Sequence, residues 1–80
     1  MYPNPFDEWL NIDYTISQPT HVRLAVFDIF GKLLEIVEEG DREPGTYSTG
    51  WNAGDLPGAT YIIKLMVNDT QVVQRVILMN

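Results

Sequence analysis

Residues 21–39, HVRLAVFDIFGKLLEIVEE, contain two apolar runs separated by a short corner that holds a glycine. Branched and aromatic residues on both sides of such a corner are typical of a β-hairpin. The carboxylate of Asp28 can accept hydrogen bonds from backbone amides in the corner, and Gly31 adopts a positive φ at no steric cost. The segment therefore predicts two antiparallel strands.

Alternation within this hairpin predicts which side chains face inward. Val22, Leu24 and Val26 recur at every second position, and so do Leu34 and Ile36 after the corner. Successive side chains of a strand point to opposite faces, so we expect each set to share one face. An isolated hairpin is not stable in water, so the other segments must cover that face.

Further strands are predicted on both sides of the hairpin, over residues 10–16, 47–51, 60–67 and 71–79. Turn-forming residues separate them, and no helical period occurs. Together with the hairpin these make six strands, and the extended first segment, if it forms an edge strand, brings the number to about seven. A series of about seven short strands predicts an all-β fold, an immunoglobulin-like antiparallel β-sandwich. The 80 residues suffice for one domain with one small core.

Residues near the ends of the strands have predicted structural roles. Pro3 and Pro5 keep the first segment extended and remove two backbone donors. Phe6 is then expected to fill one open end of the core, and Trp51 is expected to seal the end beside residues 52–55. An exposed Trp51 would instead suit a sugar ring, which leaves a carbohydrate-binding module as an alternative.

The last predicted strand carries apolar side chains on both of its faces. One face has Val72, Val76 and Leu78, and the other has Val73, Ile77 and Met79. Only one face can meet the core of a two-layer sandwich. The other is either covered by further parts of a longer protein or offered to a partner.

The charge pattern excludes several classes of partner. Asp and Glu number 11 against 5 Lys and Arg, which gives a net charge of −6. Nucleic acids and anionic membranes bind clustered basic residues, and here these residues are scattered along the chain, so neither is expected as a partner. The acidic residues of segment 35–43 lack the spacing of a calcium loop, and we expect a solvated loop there.

No set of residues predicts catalysis. The one histidine, His21, is expected at the surface, and the chain has no cysteine. Ser17 and Ser48 lack the glycine elbow of a nucleophile, and a single histidine cannot hold zinc. We expect no enzyme activity, no catalytic residue, no metal, no cofactor and no small-molecule substrate.

The first residues do not have the pattern of a signal peptide, and no apolar run approaches the roughly 20 residues of a membrane span. Such a chain either stays in the cytosol or is a piece of a longer exported protein. We expect the second case, with residues 1–80 as a single domain from the C-terminal end of a larger secreted protein.

The order of motifs resembles the type A C-terminal sorting domain of proteins exported by the type IX (Por) secretion system of Bacteroidetes. The motifs, in order, are YPNPF at 2–6, VRLAVFD at 22–28 with Gly31, PGTY at 44–47 with Trp51, LPG at 56–58, YIIKL at 61–65 and QRVIL at 74–78. The resemblance covers essentially the whole chain.

This resemblance implies a small immunoglobulin-like domain that carries an N-terminal cargo protein across the outer membrane. The implied partners are that cargo, the outer-membrane translocon or shuttle, and a surface sortase that usually removes the domain. The cargo passes through the periplasm and reaches the cell surface or the extracellular space, where it is joined to lipopolysaccharide. The residues implied in recognition are Gly58, Tyr61, Gln74, Arg75, Val76, Ile77 and Leu78, and strand 71–80 is the expected docking surface.

One further alternative is a relative of the immunoglobulin-like module of flagellar hook-capping proteins, which is also found as a spacer at the ends of secreted hydrolases. It shares the PNPF opening at residues 3–6 and the corner glycine, Gly31. In that case the domain would be a structural or assembly module without a role in export.

Overall fold

The computed structural model describes residues 1–54 and 56–79, and these form six strands in two antiparallel sheets. The strands are β1 (Trp9–Ile16), β2 (Thr20–Phe27), β3 (Leu33–Arg42), β4 (Gly45–Asn52), β5 (Ala59–Val67) and β6 (Thr70–Leu78). β1 pairs with β4, and the larger sheet has the order β3-β2-β5-β6. The predicted all-β class is confirmed.

The described residues contain six strands rather than about seven, because the first segment forms isolated bridges and no strand. Tyr2 bridges to Asn11 in β1, and Phe6 bridges to Leu78 in β6. Residues 2–6 therefore link an edge of the smaller sheet to an edge of the larger one.

None of the described residues belongs to a helix long and apolar enough to cross a membrane.

The predicted central hairpin is present as β2 and β3, and its corner has the expected hydrogen bonds. The Asp28 carboxylate accepts from the backbone N–H groups of Phe30 and Lys32, both at 2.9 Å. Gly31 has a φ of 87°, in the region that favours glycine. These contacts fix the turn that brings β3 back alongside β2.

The facing of β3 differs from the prediction because two irregularities interrupt its pairing with β2. The register skips Leu34 and Val37, and both of these side chains pack against the core. Ile36 is instead 41% exposed. The prediction that Leu34 and Ile36 share a face is wrong, since each bulge shifts the alternation of the strand by one residue.

The acidic segment is strand over most of its length, so the loop predicted for it is wrong. β3 continues to Arg42, which pairs with Thr20. Apolar alternation stops at Val37, and the sequence therefore gives no strand signal beyond that point. Backbone pairing with β2 maintains the strand there.

One hydrophobic core takes side chains from both sheets. Its buried members are Phe6, Leu10, Ile12, Tyr14, Ile16, Val22, Leu24, Val26, Trp51, Ala53, Tyr61, Ile63, Leu65, Val76 and Leu78. Trp51 is the largest fully buried side chain, at 1% exposure, and its ring lies 5.7 Å from that of Phe6 and 6.0 Å from that of Tyr61. Its indole N–H donates to Glu35 at 3.2 Å.

The inner face of β6 is not covered along its whole length. Val72 lies on the same face as the buried Val76, yet it is 51% exposed. It lines an open groove of about 300 Å³ together with Ile16 and Leu65. The two-stranded sheet leaves this end of the larger sheet uncovered.

Replacing Trp51 with alanine is expected to lower the free energy of unfolding by about 3–5 kcal/mol, because it removes the largest buried side chain from the centre of the core. Urea denaturation measures this change. The matched control is Phe30→Ala, since Phe30 is 88% exposed, and its effect should stay within about 0.5 kcal/mol. Equal effects of the two substitutions would contradict the placement of Trp51.

Candidate docking surface

The terminal strand β6 lies at one edge of the larger sheet and divides its side chains between two environments. Val76 and Leu78 are 0% and 2% exposed and belong to the core. Arg75 is exposed and Ile77 is 44% exposed, both on the opposite face. The strand is therefore fixed from inside while presenting side chains outside.

The outer edge of β6 is already hydrogen-bonded to residues 2–6. The N–H of Phe6 donates to the carbonyl of Ile77 at 2.9 Å, and its carbonyl accepts from the N–H of Met79 at 2.7 Å. The side chain of Asn4 adds two bonds, accepting from the N–H of Ile77 at 3.0 Å and donating to the carbonyl of Arg75 at 3.2 Å. The Asn4 amide thus takes the place of a peptide group.

This pairing limits what a partner strand could reach. Strand addition requires unpaired N–H and C=O groups along a sheet edge. Between Arg75 and Met79, a partner strand would have to displace residues 2–6 to reach the bonded groups. Within the described chain, no strand pairs with the same edge over residues 71–74.

The recognition residues implied by the family resemblance lie in different environments in the structure. Tyr61 is 4% exposed, and its hydroxyl donates to the carbonyl of Pro57 at 2.6 Å. Tyr61 pairs directly with Val76 across the sheet, and Gly58 is an exposed residue just before β5. Gly58, Arg75 and Ile77 are exposed in the folded domain, whereas Tyr61, Val76 and Leu78 lie inside. Gln74 is half-buried on the core-facing side of β6, where it pairs with the buried Ile63.

Asn4 is a structural residue that the sequence reasoning did not identify. Its signal was available, because Asn4 lies between Pro3 and Pro5, and proline has no N–H to donate to a ladder. A side-chain amide at this position supplies a donor and an acceptor that the neighbouring backbone cannot provide in full.

The acidic strand β3 is tied to its neighbours by hydrogen bonds. Glu38 accepts from the hydroxyl of Tyr14 and lies 3.1 Å from the Arg42 guanidinium. Burial raises the pKa of Tyr14, and the hydrogen bond to Glu38 raises it further. Burial alone would raise the pKa of Glu38, but the hydrogen bonds from Tyr14 and Arg42 outweigh it and lower that pKa.

His21 lies at the surface, with its two ring nitrogens at 3.1 Å from Asp41 and 3.3 Å from Glu39. These hydrogen bonds, that of Asp41 first, raise the pKa of His21 above its ordinary 6.5. Among residues 1–54 and 56–79, no group of three or more His, Cys, Asp and Glu side chains could hold a metal ion. The two hydrogen bonds of His21 join β2 to β3 at the surface.

Substituting Asn4 is expected to change the exchange of a single amide of β6. Asn4→Ala removes the acceptor of the Ile77 N–H, so hydrogen exchange at Ile77 should accelerate by about tenfold, a loss of about 1.4 kcal/mol of protection. Asn4→Asp keeps an acceptor there and serves as the matched control. Amide exchange followed by NMR measures both, and equal rates in the two variants would contradict the role of the Asn4 oxygen.

Asp41→Asn is expected to lower the pKa of His21 towards 6.5, because it removes the acceptor that raises it most. A raised folded-state pKa stabilises the fold fully below about pH 6.5, and this contribution is lost as the pH rises through the folded value. The wild-type domain should therefore lose more stability between pH 6 and 8 than Asp41→Asn. NMR titration of the one histidine checks the pKa, with Glu43→Gln as control, and an unchanged pKa in Asp41→Asn would refute the pairing.

Comparison with known proteins identifies the family to which this chain belongs. A family model described as the secretion system C-terminal sorting domain matches residues 1–79. No curated protein and no solved structure matches the chain. Membership of this family indicates a C-terminal signal for type IX secretion. Such a signal implies that the domain interacts with the type IX machinery and is attached to an N-terminal cargo. It also implies export to the cell surface or the extracellular space. Since the match spans nearly its full length, the chain belongs to the family of type IX secretion C-terminal sorting domains.

Proposed function

We propose that this domain directs a cargo protein through the periplasm and across the outer membrane by binding the translocon or shuttle of the type IX system. A surface sortase then removes residues 1–80, and the cargo is joined to the cell surface. The family match over residues 1–79 is the observation that carries this proposal. The cargo precedes the domain in the longer secreted protein to which the domain belongs.

The domain performs this role as a folded immunoglobulin-like sandwich. Two features support this architecture: six antiparallel strands in two sheets share one core, and the Tyr61 hydroxyl bonds to the carbonyl of Pro57, four residues upstream. A tyrosine bonded back to the preceding backbone is a recurring corner of immunoglobulin-like domains. Trp51 packs edge-on against the same tyrosine.

Docking takes place through the outward side of β6. Gly58, Arg75 and Ile77 contact the partner, because they are the exposed recognition residues of the folded domain. Gln74 is half-buried on the opposite, core-facing side of β6 and takes no part in this contact. Tyr61, Val76 and Leu78 act indirectly by anchoring β5 and β6 in the core. Pro3, Pro5 and Phe6 belong to the segment that closes the strand edge, Gly31 shapes the central turn, and Trp51 fills the core.

The domain has no catalytic role in this proposal, since a sorting domain of this family is not known to be catalytic. The carbohydrate-binding alternative requires an accessible Trp51 ring. Trp51 is 1% exposed and bonded to Glu35, so a sugar could not stack on it without opening the core. No observation on the structure favours the hook-capping alternative.

A reporter fused ahead of residues 1–80 tests the proposal in a host with an active type IX system. The wild-type fusion should reach the cell surface, and deletion of the translocon should keep it in the periplasm. Arg75→Glu with Ile77→Asp should reduce surface reporter by about tenfold or more, because both changes oppose contact at the outward face.

The matched control is Lys32→Glu with Phe30→Asp, which alters charge equally at two exposed residues of the β2–β3 corner. It should leave delivery unchanged, and thermal melting verifies that both variants fold. A wild-type reporter retained in the periplasm would contradict the export function. Equal delivery of the two folded variants would contradict the docking residues.

A further inference from the structure

The larger sheet has a second face, turned away from the core, that the proposed docking strand shares with β2, β3 and β5. Its side chains alternate with the core side chains along β5 and β6, and along β2, where Ala25 of this face is also buried. Its apolar members include Phe27, Ile36, Ile62, Met66, Val73 and Ile77, of which Ile36, Val73 and Ile77 are 41%, 50% and 44% exposed. We call this surface the outward face.

Three basic residues cross the outward face on a diagonal. Arg23 in β2 pairs with Met66, which is two residues from Lys64 in β5. Arg75 in β6 pairs with Ile62, two residues from Lys64 in the other direction. Each step along the diagonal moves to the neighbouring strand, about 4.8 Å away, and two residues along the strand direction, about 6.7 Å. The backbone positions of successive basic residues are therefore about 8 Å apart.

These three cations are unpaired although the chain is strongly acidic. Eleven acidic residues face five basic ones, and Arg42 and His21 both contact carboxylates. In the described part of the chain, Arg23, Lys64 and Arg75 form no ion pair. The Lys64 ammonium lies over the ring of Phe27 instead, at 4.6 Å from its centroid.

Folding therefore gathers three of the five basic residues on one apolar surface of a protein with a net charge of −6. Apolar side chains flank the diagonal on both sides, with Phe27 and Ile62 on one side and Met66 and Val73 on the other. Glu39 of β3 pairs with Arg23 at one end of the diagonal, but its carboxylate contacts His21, so the three cations still leave an excess of positive charge on this apolar surface. Such a surface matches a partner with carboxylates set among apolar groups.

We propose that the outward face docks a partner protein whose contact surface carries carboxylates along a line, surrounded by apolar side chains. The carboxylates pair with Arg23, Lys64 and Arg75, and the apolar groups cover Ile36, Val73 and Ile77. This inference deepens the docking step of the proposed function and rests on it. It extends the contact from β6 to the centre of the sheet.

Two other occupants fit the observations less well. An anionic membrane would attract the diagonal, but the net charge of −6 opposes approach to such a surface. A second copy brings its own net charge of −6, and the carboxylates of its β3 are already bonded, Glu38 to Arg42, and Glu39 and Asp41 to His21. A separate protein can carry a short line of carboxylates without a large negative net charge, so neither disadvantage applies to it.

A photo-crosslinking amino acid at Val73, in the reporter fusion of residues 1–80, tests the inference in living cells. Illumination should give a discrete protein adduct, and the crosslinked partner peptide, identified by mass spectrometry, should contain Asp or Glu beside apolar residues. Lys64→Gln with Arg75→Gln should reduce this adduct about tenfold. Lys32→Glu changes the net charge by the same two units away from the outward face and should not reduce it.

The outcomes separate this inference from the function on which it rests. Normal surface delivery with an adduct that Lys64→Gln and Arg75→Gln leave unchanged overturns the inference and leaves the export function intact. An adduct with lipid, with a second copy, or with a peptide lacking acidic residues also overturns it. A wild-type reporter that never reaches the surface overturns both.

Discussion

The hydrogen bonds between residues 2–6 and β6 hold the terminal strand in a fixed position on its outer edge. Phe6 and Asn4 together satisfy four backbone groups between Arg75 and Met79. Without them the edge of β6 would be open to any chain able to add a strand, which is a common cause of aggregation. Between Arg75 and Met79, the closed edge leaves the exposed side chains as the part of the strand that a partner can reach.

The same segment also links the edge to the core. Phe6 is 2% exposed and lies against Trp51, which in turn meets Tyr61 at the start of β5. A chain of this size buries only about 60–65% of its unfolded surface, so a few large aromatic side chains contribute much of its stability. The position of β6 therefore depends on both ends of the sequence.

Much of this architecture is predictable from the sequence. Alternation of apolar residues locates β1, β2, β5 and β6, and Asp28 with Gly31 specifies the central corner, because these signals are local. The course of β3 is not predictable, since bulges at Leu34 and Val37 depend on how the pairing register closes in space.

The facing of the docking-surface residues also cannot be predicted from local sequence signals. The motif at residues 74–78 identifies the strand, but its sequence alone does not show which side of the strand faces the core. The pairing with β5 shows that Val76 and Leu78 point inward, whereas Arg75 and Ile77 point outward. Likewise Arg23, Lys64 and Arg75 are scattered along the sequence, and only the register of three strands brings them onto one line. Charge counts along a chain cannot detect such a grouping.

The central claim is that the export machinery binds a folded domain through the outward side of β6 while its edge stays closed. Hydrogen exchange at the Met79 amide, measured in the domain bound to that machinery, tests this most directly, because this amide donates to Phe6 on the closed edge. Exchange as slow as in the free domain is the expected result. Rapid exchange at Met79 on binding would contradict the claim, since it would mean that residues 2–6 leave the strand.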